Sequence, residues 1–70
     1  MTLIVNGEPR ECGSQTLESL LALVLAELEI AEPAGFAMAL NGAVVRRNRW
    51  NETRLADGDK VEIVRARQGG

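Results

Sequence analysis

With Gly70 read as the C-terminal residue, the chain ends in Gly69-Gly70, and the group with the clearest chemistry is the terminal carboxylate. Its reference pKa of about 3.3–3.7 keeps it ionised at neutral pH. Such a carboxylate attacks an ATP phosphorus but is itself a poor electrophile. Conversion to an acyl-adenylate supplies a leaving group, after which a sulfur nucleophile can attack the carbonyl and leave a thiocarboxylate. Two glycines suit this task, because without Cβ atoms they pass through a channel too narrow for side chains. A frayed end would look the same, so the weight of the pair depends on what precedes it. No phosphate-binding glycine loop occurs in the chain, so a partner enzyme must supply the ATP site.

The side chains offer less. There is no histidine, the commonest general base and metal ligand. One cysteine without histidine cannot build a structural zinc site. Cys12 has no neighbour in sequence that would lower its pKa, and Glu11 beside it would raise it, so a small residue at a strand end is the better reading. Asp57-Gly58-Asp59 lacks the further oxygen ligands and closing glutamate of a calcium loop and reads as a turn. The arginines at 46, 47, 49, 65 and 67 offer a docking patch for an acidic partner or, more plainly, a solvated basic face. These residues point to a protein acted on by enzymes, with no bound cofactor and no metal of its own.

Composition sets the outer bounds. Seventy residues, 46% hydrophobic and 26% charged, make one globular domain with little room for a deep catalytic cavity. The lone cysteine cannot form an internal disulfide, which favours a reducing cytoplasm. The longest apolar run, Leu20 to Ala26, is far short of the ~20 residues that span a bilayer, and the N-terminus lacks a signal-peptide pattern. Residues 1–35 carry one Arg and six Glu (−5), and residues 36–70 carry seven Arg or Lys and four acids (+3). With Phe36 and Trp50 the only aromatics, this is not a nucleic-acid binder's pattern. Protein partners are expected, with neither nucleic acid nor membrane.

The terminus needs elements to present it. Thr2-Leu3-Ile4-Val5 followed by Asn6-Gly7 predicts a strand and a type I′ hairpin, returning through about Pro9–Cys12 as an edge strand. Thr16 is a candidate helix N-cap with Glu18 in the first turn. Leu17, Leu20, Leu21, Val24 and Leu28 form the apolar stripe, and Leu23 falls off it. Glu29 to Gly35, with Pro33, is a connection. Phe36 to Leu40 alternates Phe36, Met38 and Leu40 against Ala37 and Ala39, and Asn41-Gly42 turns it back through Ala43-Val44-Val45. Arg46 to Ala56 predicts turns or a short 3₁₀ segment with Trp50 and Leu55 inward, and Lys60 to Arg65 is the last strand. The order ββαββ, an irregular stretch, then β, with central first and last strands, predicts an α+β β-grasp or ubiquitin-like roll: one mixed sheet on one helix. Residues 1–65 form the domain and residues 66–70 a flexible tail, Ala66-Arg67-Gln68-Gly69-Gly70.

The stretch Ala39 to Val45, then Trp50, Leu55 to Ile63 and Gly69-Gly70, with Val5-Asn6-Gly7-Glu8 and the Thr16-Leu17 helix start, resembles the ThiS family of sulfur carriers over essentially the whole chain. The resemblance implies that a ThiF-type adenylyltransferase activates Gly70 and that it becomes thioglycine, with sulfur from cysteine through a desulfurase. The tail, Ala66 to Gly70, would then enter thiazole synthase and donate sulfur to the thiazole of thiamine. Three other readings stay open. The small subunit of molybdopterin synthase shares the fold and terminus, but its members tend to be longer, with a proline-rich approach that Arg65-Ala66-Arg67-Gln68 lacks. A ubiquitin-like modifier would share the activation step, and a plain binding module would have an inert tail. Alternation also places Ile4 and Val64 on the sheet face away from the helix, a candidate docking face for the activating enzyme.

Overall fold

The computed structural model describes residues 1–13 and 15–65, so the expected tail, residues 66–70, lies outside the described residues. These residues form β1 (Thr2–Val5), β2 (Glu8–Glu11), α1 (Leu17–Glu27), β3 (Phe36–Leu40), β4 (Ala43–Val45), a 3₁₀ turn (Arg47–Arg49) and β5 (Lys60–Arg65). The strands make one sheet in the order β2-β1-β5-β3-β4. β5 runs parallel to β1 and antiparallel to β3, and the other pairs are antiparallel. This is the expected β-grasp. Pro9 sits in the edge strand, where its missing N–H costs no ladder bond.

Both hairpins turn on the expected dipeptides. Asn6 and Gly7 have φ of 50° and 84°, and Asn41 and Gly42 have 50° and 88°. Positive φ at both central residues is the type I′ signature, and its twist matches that of the strands.

α1 starts where the sequence placed it. The Thr16 hydroxyl accepts the Ser19 N–H at 3.1 Å, and the Ser19 hydroxyl accepts the Thr16 N–H at the same distance, a reciprocal capping box. The helix end differs from the expected stripe. Leu25 is buried with Leu17, Leu20 and Leu21, whereas Leu28 is 59% exposed and Val24 only half-buried. The cause is a Schellman ending: Glu29, at φ 57°, donates to the Ala26 carbonyl at 3.2 Å, and Ile30 donates to Leu25 at 2.9 Å. The chain therefore leaves the helical path at Leu28, before that side chain reaches the core, and Ile30 packs there instead. This close also ends the helix ahead of Pro33.

The core is Leu3, Leu17, Leu20, Leu21, Leu25, Met38, Trp50 and Val61. Trp50 is 4% exposed, and its indole N–H donates to the Val45 carbonyl at 2.9 Å, so the partner it needs when buried comes from β4. The inward placing of Trp50 and Leu55 and the 3₁₀ turn agree with the sequence reading. None of the described helices is long and apolar enough to cross a membrane.

Candidate functional site

The strand that leads toward Gly70 is the middle of the sheet. β5 is laddered to β3 over Leu40↔Val61, Ala39↔Glu62, Met38↔Ile63, Ala37↔Val64 and Phe36↔Arg65. On its other flank it pairs with β1 only at Ile4↔Lys60 and Val5↔Val61. Strand alternation sends Val61 and Ile63 into the core and Lys60, Glu62 and Val64 to the open face. At the end of β5 the Arg65 guanidinium lies over the Phe36 ring, 5.3 Å from its centroid, a cation–π contact on the final described residue. Gly70 and the rest of the tail, Ala66, Arg67, Gln68 and Gly69, lie outside the described residues.

The open face carries the expected docking pair, with a change of emphasis. Ile4 is half-buried and Val64 is 57% exposed. They share a face but are not neighbours: Ile4 is opposite Lys60, and Val64 is four residues further along β5, roughly 13 Å at 3.3 Å per residue. The apolar surface around Val64 comes instead from Ala37, its ladder partner, and from Ala39 and Val44, which pair with each other. Val44 is 79% exposed. Alternation sets Ala37 and Ala39 on the face of β3 opposite Phe36, Met38 and Leu40, but the sequence reading joined neither them nor Val44 to Val64. A two-residue Asn-Gly loop fixes Leu40↔Ala43 and hence Ala39↔Val44, so that pairing was available from the turn type.

The other candidates resolve into structural roles. Asp57 Oδ1 accepts the Thr2 N–H at 2.7 Å, tying the last turn to β1. Asp59 accepts the Ala56 N–H at 2.8 Å and the Asn41 side-chain N–H at 3.1 Å. Among the described residues no group of three or more His, Cys, Asp or Glu is placed to hold a metal ion. Cys12 is half-buried against the core, and its N–H donates to the Met1 carbonyl at 3.0 Å.

Four of the five arginines of the expected basic patch are among the described residues, and Arg67 lies outside them. Arg49 pairs with Glu52 at 3.5 Å on the 3₁₀ turn beside exposed Arg46 and Arg47, whereas Arg65 covers Phe36. Register nevertheless puts the ends of β4 and β5 at one end of the sheet, opposite the start of β3. On the far edge Arg10 binds Glu27 at the end of α1 and holds its carboxyl below the ordinary carboxylate range.

A half-open groove of about 760 Å³ runs along the outer flank of α1, floored by Leu21, Leu25, Ile30 and Trp50. Its ionisable lining is Glu18 and Arg47, and it lies on the helix side of the sheet, away from Val64.

Comparison with known proteins agrees with this geometry. A sequence model of the ThiS family matches residues 3–70. A crystal structure of the thiamine biosynthesis protein ThiS from Geobacter metallireducens is 32% identical, with all of both chains covered and a TM-score of 0.73. A solution structure of a thiamine biosynthesis protein from the same organism is 31% identical, covering all of this chain and 88% of the other, with a TM-score of 0.66. No curated protein matches significantly. A match over nearly the whole sequence, joined to the same fold at about one-third identity, means that the chain belongs to the ThiS family.

Proposed function

We propose that this chain is a sulfur carrier for thiazole formation in thiamine biosynthesis, a protein co-substrate whose reacting group is the Gly70 carboxylate. Supporting this reading above all is the extent of the family match, which runs to residue 70 and so includes Gly69-Gly70. β5, the strand nearest that pair in sequence, is the centre of the sheet, so the terminus follows directly on a rigid element.

A carboxylate oxygen of Gly70 attacks the α-phosphorus of ATP in a ThiF-type adenylyltransferase, forming the acyl-adenylate and releasing pyrophosphate. A persulfide, formed from cysteine by a desulfurase, attacks the carbonyl carbon through its terminal sulfur, and AMP departs to leave an acyl disulfide. A second thiol cleaves the S–S bond, forming a disulfide with the enzyme that carried the persulfide and releasing the thiocarboxylate on Gly70. Thiazole synthase then receives the tail, Ala66 to Gly70, and takes the sulfur. ATP is consumed by the partner, and the carrier itself binds no cofactor. Cys12, unpaired and half-buried, fits a reducing cytoplasm. The open face around Val64, Ala37, Ala39 and Val44, with Ile4 beyond Lys60 and Glu62, docks the activating enzyme.

The test is the intact mass of the protein after incubation with ATP, sulfide and a ThiF-type enzyme. The expected gain is the exchange of one oxygen for sulfur, absent when Gly70 is deleted. An unchanged mass, with an enzyme shown to be active on its own carrier, refutes the reading.

A further inference from the structure

The two Asn-Gly turns do more than reverse the chain, because each asparagine side chain grips β5. Asn41 holds its beginning: the Lys60 N–H donates to Asn41 Oδ1 at 2.9 Å, and the Asn41 N–H donates to the Lys60 carbonyl at 2.7 Å. Asn6 holds the other end. The Ile63 N–H donates to Asn6 Oδ1 at 2.8 Å, and Asn6 Nδ2 donates to the Ile63 carbonyl at 3.2 Å. A carboxamide has one acceptor and one donor side, so it can stand in for a peptide group of a neighbouring strand.

The Asn6 grip falls where the sheet is one-sided. The backbone bonds from β1 to β5 run from Ile4 N–H to Asp59 and from Asn6 N–H to Val61, each at 2.9 Å, and there β1 turns away. The β3 ladder continues on the opposite flank as far as Arg65. Past Val61, among the described residues, the Asn6 carboxamide alone prolongs the β1 side of β5. Asn6 is in the left-handed region, φ 50°, and from there its side chain reaches Ile63 on β5.

We infer that Asn6 is a positioning residue for the C-terminal reaction. By completing the β1 flank at Ile63 it sets the direction in which the chain leaves the sheet, two residues later, toward the reacting carboxylate. The inference rests on the carrier reading proposed above. Without the grip, the last three residues of β5 are held from one side only, and the chain beyond them starts from a wider range of directions. Docking through Val64 does not depend on it, since Val64 stays laddered to Ala37.

The experiment compares Asn6→Gly with Asn41→Gly in the full chain, as glycine keeps the positive φ of both turns and removes only the side-chain grip. Pyrophosphate release by the adenylating enzyme is measured against carrier concentration, with amide hydrogen exchange at Ile63. For Asn6→Gly, kcat falls by about tenfold with KM unchanged, given that misplacement of about 1 Å costs up to 100-fold, and Ile63 loses exchange protection. For Asn41→Gly, kcat stays at the parent value although the melting temperature falls too. Should Asn6→Gly not fold, Asn6→Asp carries the same expectation, since it keeps the acceptor for the Ile63 N–H but sets a carboxylate oxygen against its carbonyl. An unchanged kcat, a change in KM alone, or an equal loss in Asn41→Gly reduces Asn6 to a structural residue and overturns the inference. A parent protein that is never adenylated overturns this inference and the carrier reading together.

Discussion

Replacing Val64 by aspartate separates docking from folding, because the side chain is 57% exposed and lies on the face opposite the helix. Full burial of a valine is worth about 1.5–3 kcal/mol, so covering the half that is still exposed contributes roughly 1–1.5 kcal/mol to a complex. A carboxylate at that point must shed water without a partner, adding a penalty of about 1–3 kcal/mol. The sum, about 2–4.5 kcal/mol, corresponds to roughly 30- to 1,600-fold weaker binding of the activating enzyme at 1.4 kcal/mol per decade. The cost to the fold is smaller. Strand preferences span ~1 kcal/mol, which moves the melting temperature of so small a domain by about 4–8 °C. Glu62, two residues back on the same face, makes the new charge slightly worse for both. Val64→Thr keeps the branched shape and should leave the melt within a few degrees of the parent. Calorimetric titration of the activating enzyme with each variant, beside thermal melts, reads both effects. A Val64→Asp protein that melts cooperatively and binds within twofold of the parent would falsify the docking argument.

Two predictions address the fold. Leu20→Ala removes a fully buried side chain from the α1 face and should cost about 2–5 kcal/mol. Against the roughly 3.5–10 kcal/mol available to a 70-residue chain this is a large share, visible as a lower urea midpoint, and a loss under 1 kcal/mol would contradict the packing described. Glu29→Gly relieves a left-handed non-glycine residue, whose strain is about 1–2 kcal/mol, at the expense of added freedom in the unfolded chain. The net expectation is a gain of about 0.5–1 kcal/mol and a melting temperature higher by a few degrees, and a lower one would argue against the Schellman ending.

Much of this protein was legible in its sequence because the decisive signals were local. Asn6-Gly7 and Asn41-Gly42 specify turns whose geometry depends on two residues, and Thr16 needs only Ser19, three residues on, to close its cap. Alternation over four to six residues assigned the faces of β1, β3 and β5, and a single helix between hairpins left few arrangements for the sheet. Gly69-Gly70 stood out by residue type alone. The tertiary structure decided what depends on partners far along the chain. Leu28 stayed out of the core because the helix closed at Glu29, an outcome of backbone bonding that hydrophobic spacing does not encode. Leu25, by contrast, lies four residues after Leu21 and eight after Leu17, a helical spacing that the sequence carried and the expected stripe left out. Val44 joined Val64 on the open face only through the β3 ladder between them. Asn6 and Ile63 are 57 positions apart, so no local pattern could show that a turn residue of the first hairpin grips the strand leading to the terminus. Such a contact exists only once the parallel pairing of β1 and β5 has brought the two ends of the chain side by side.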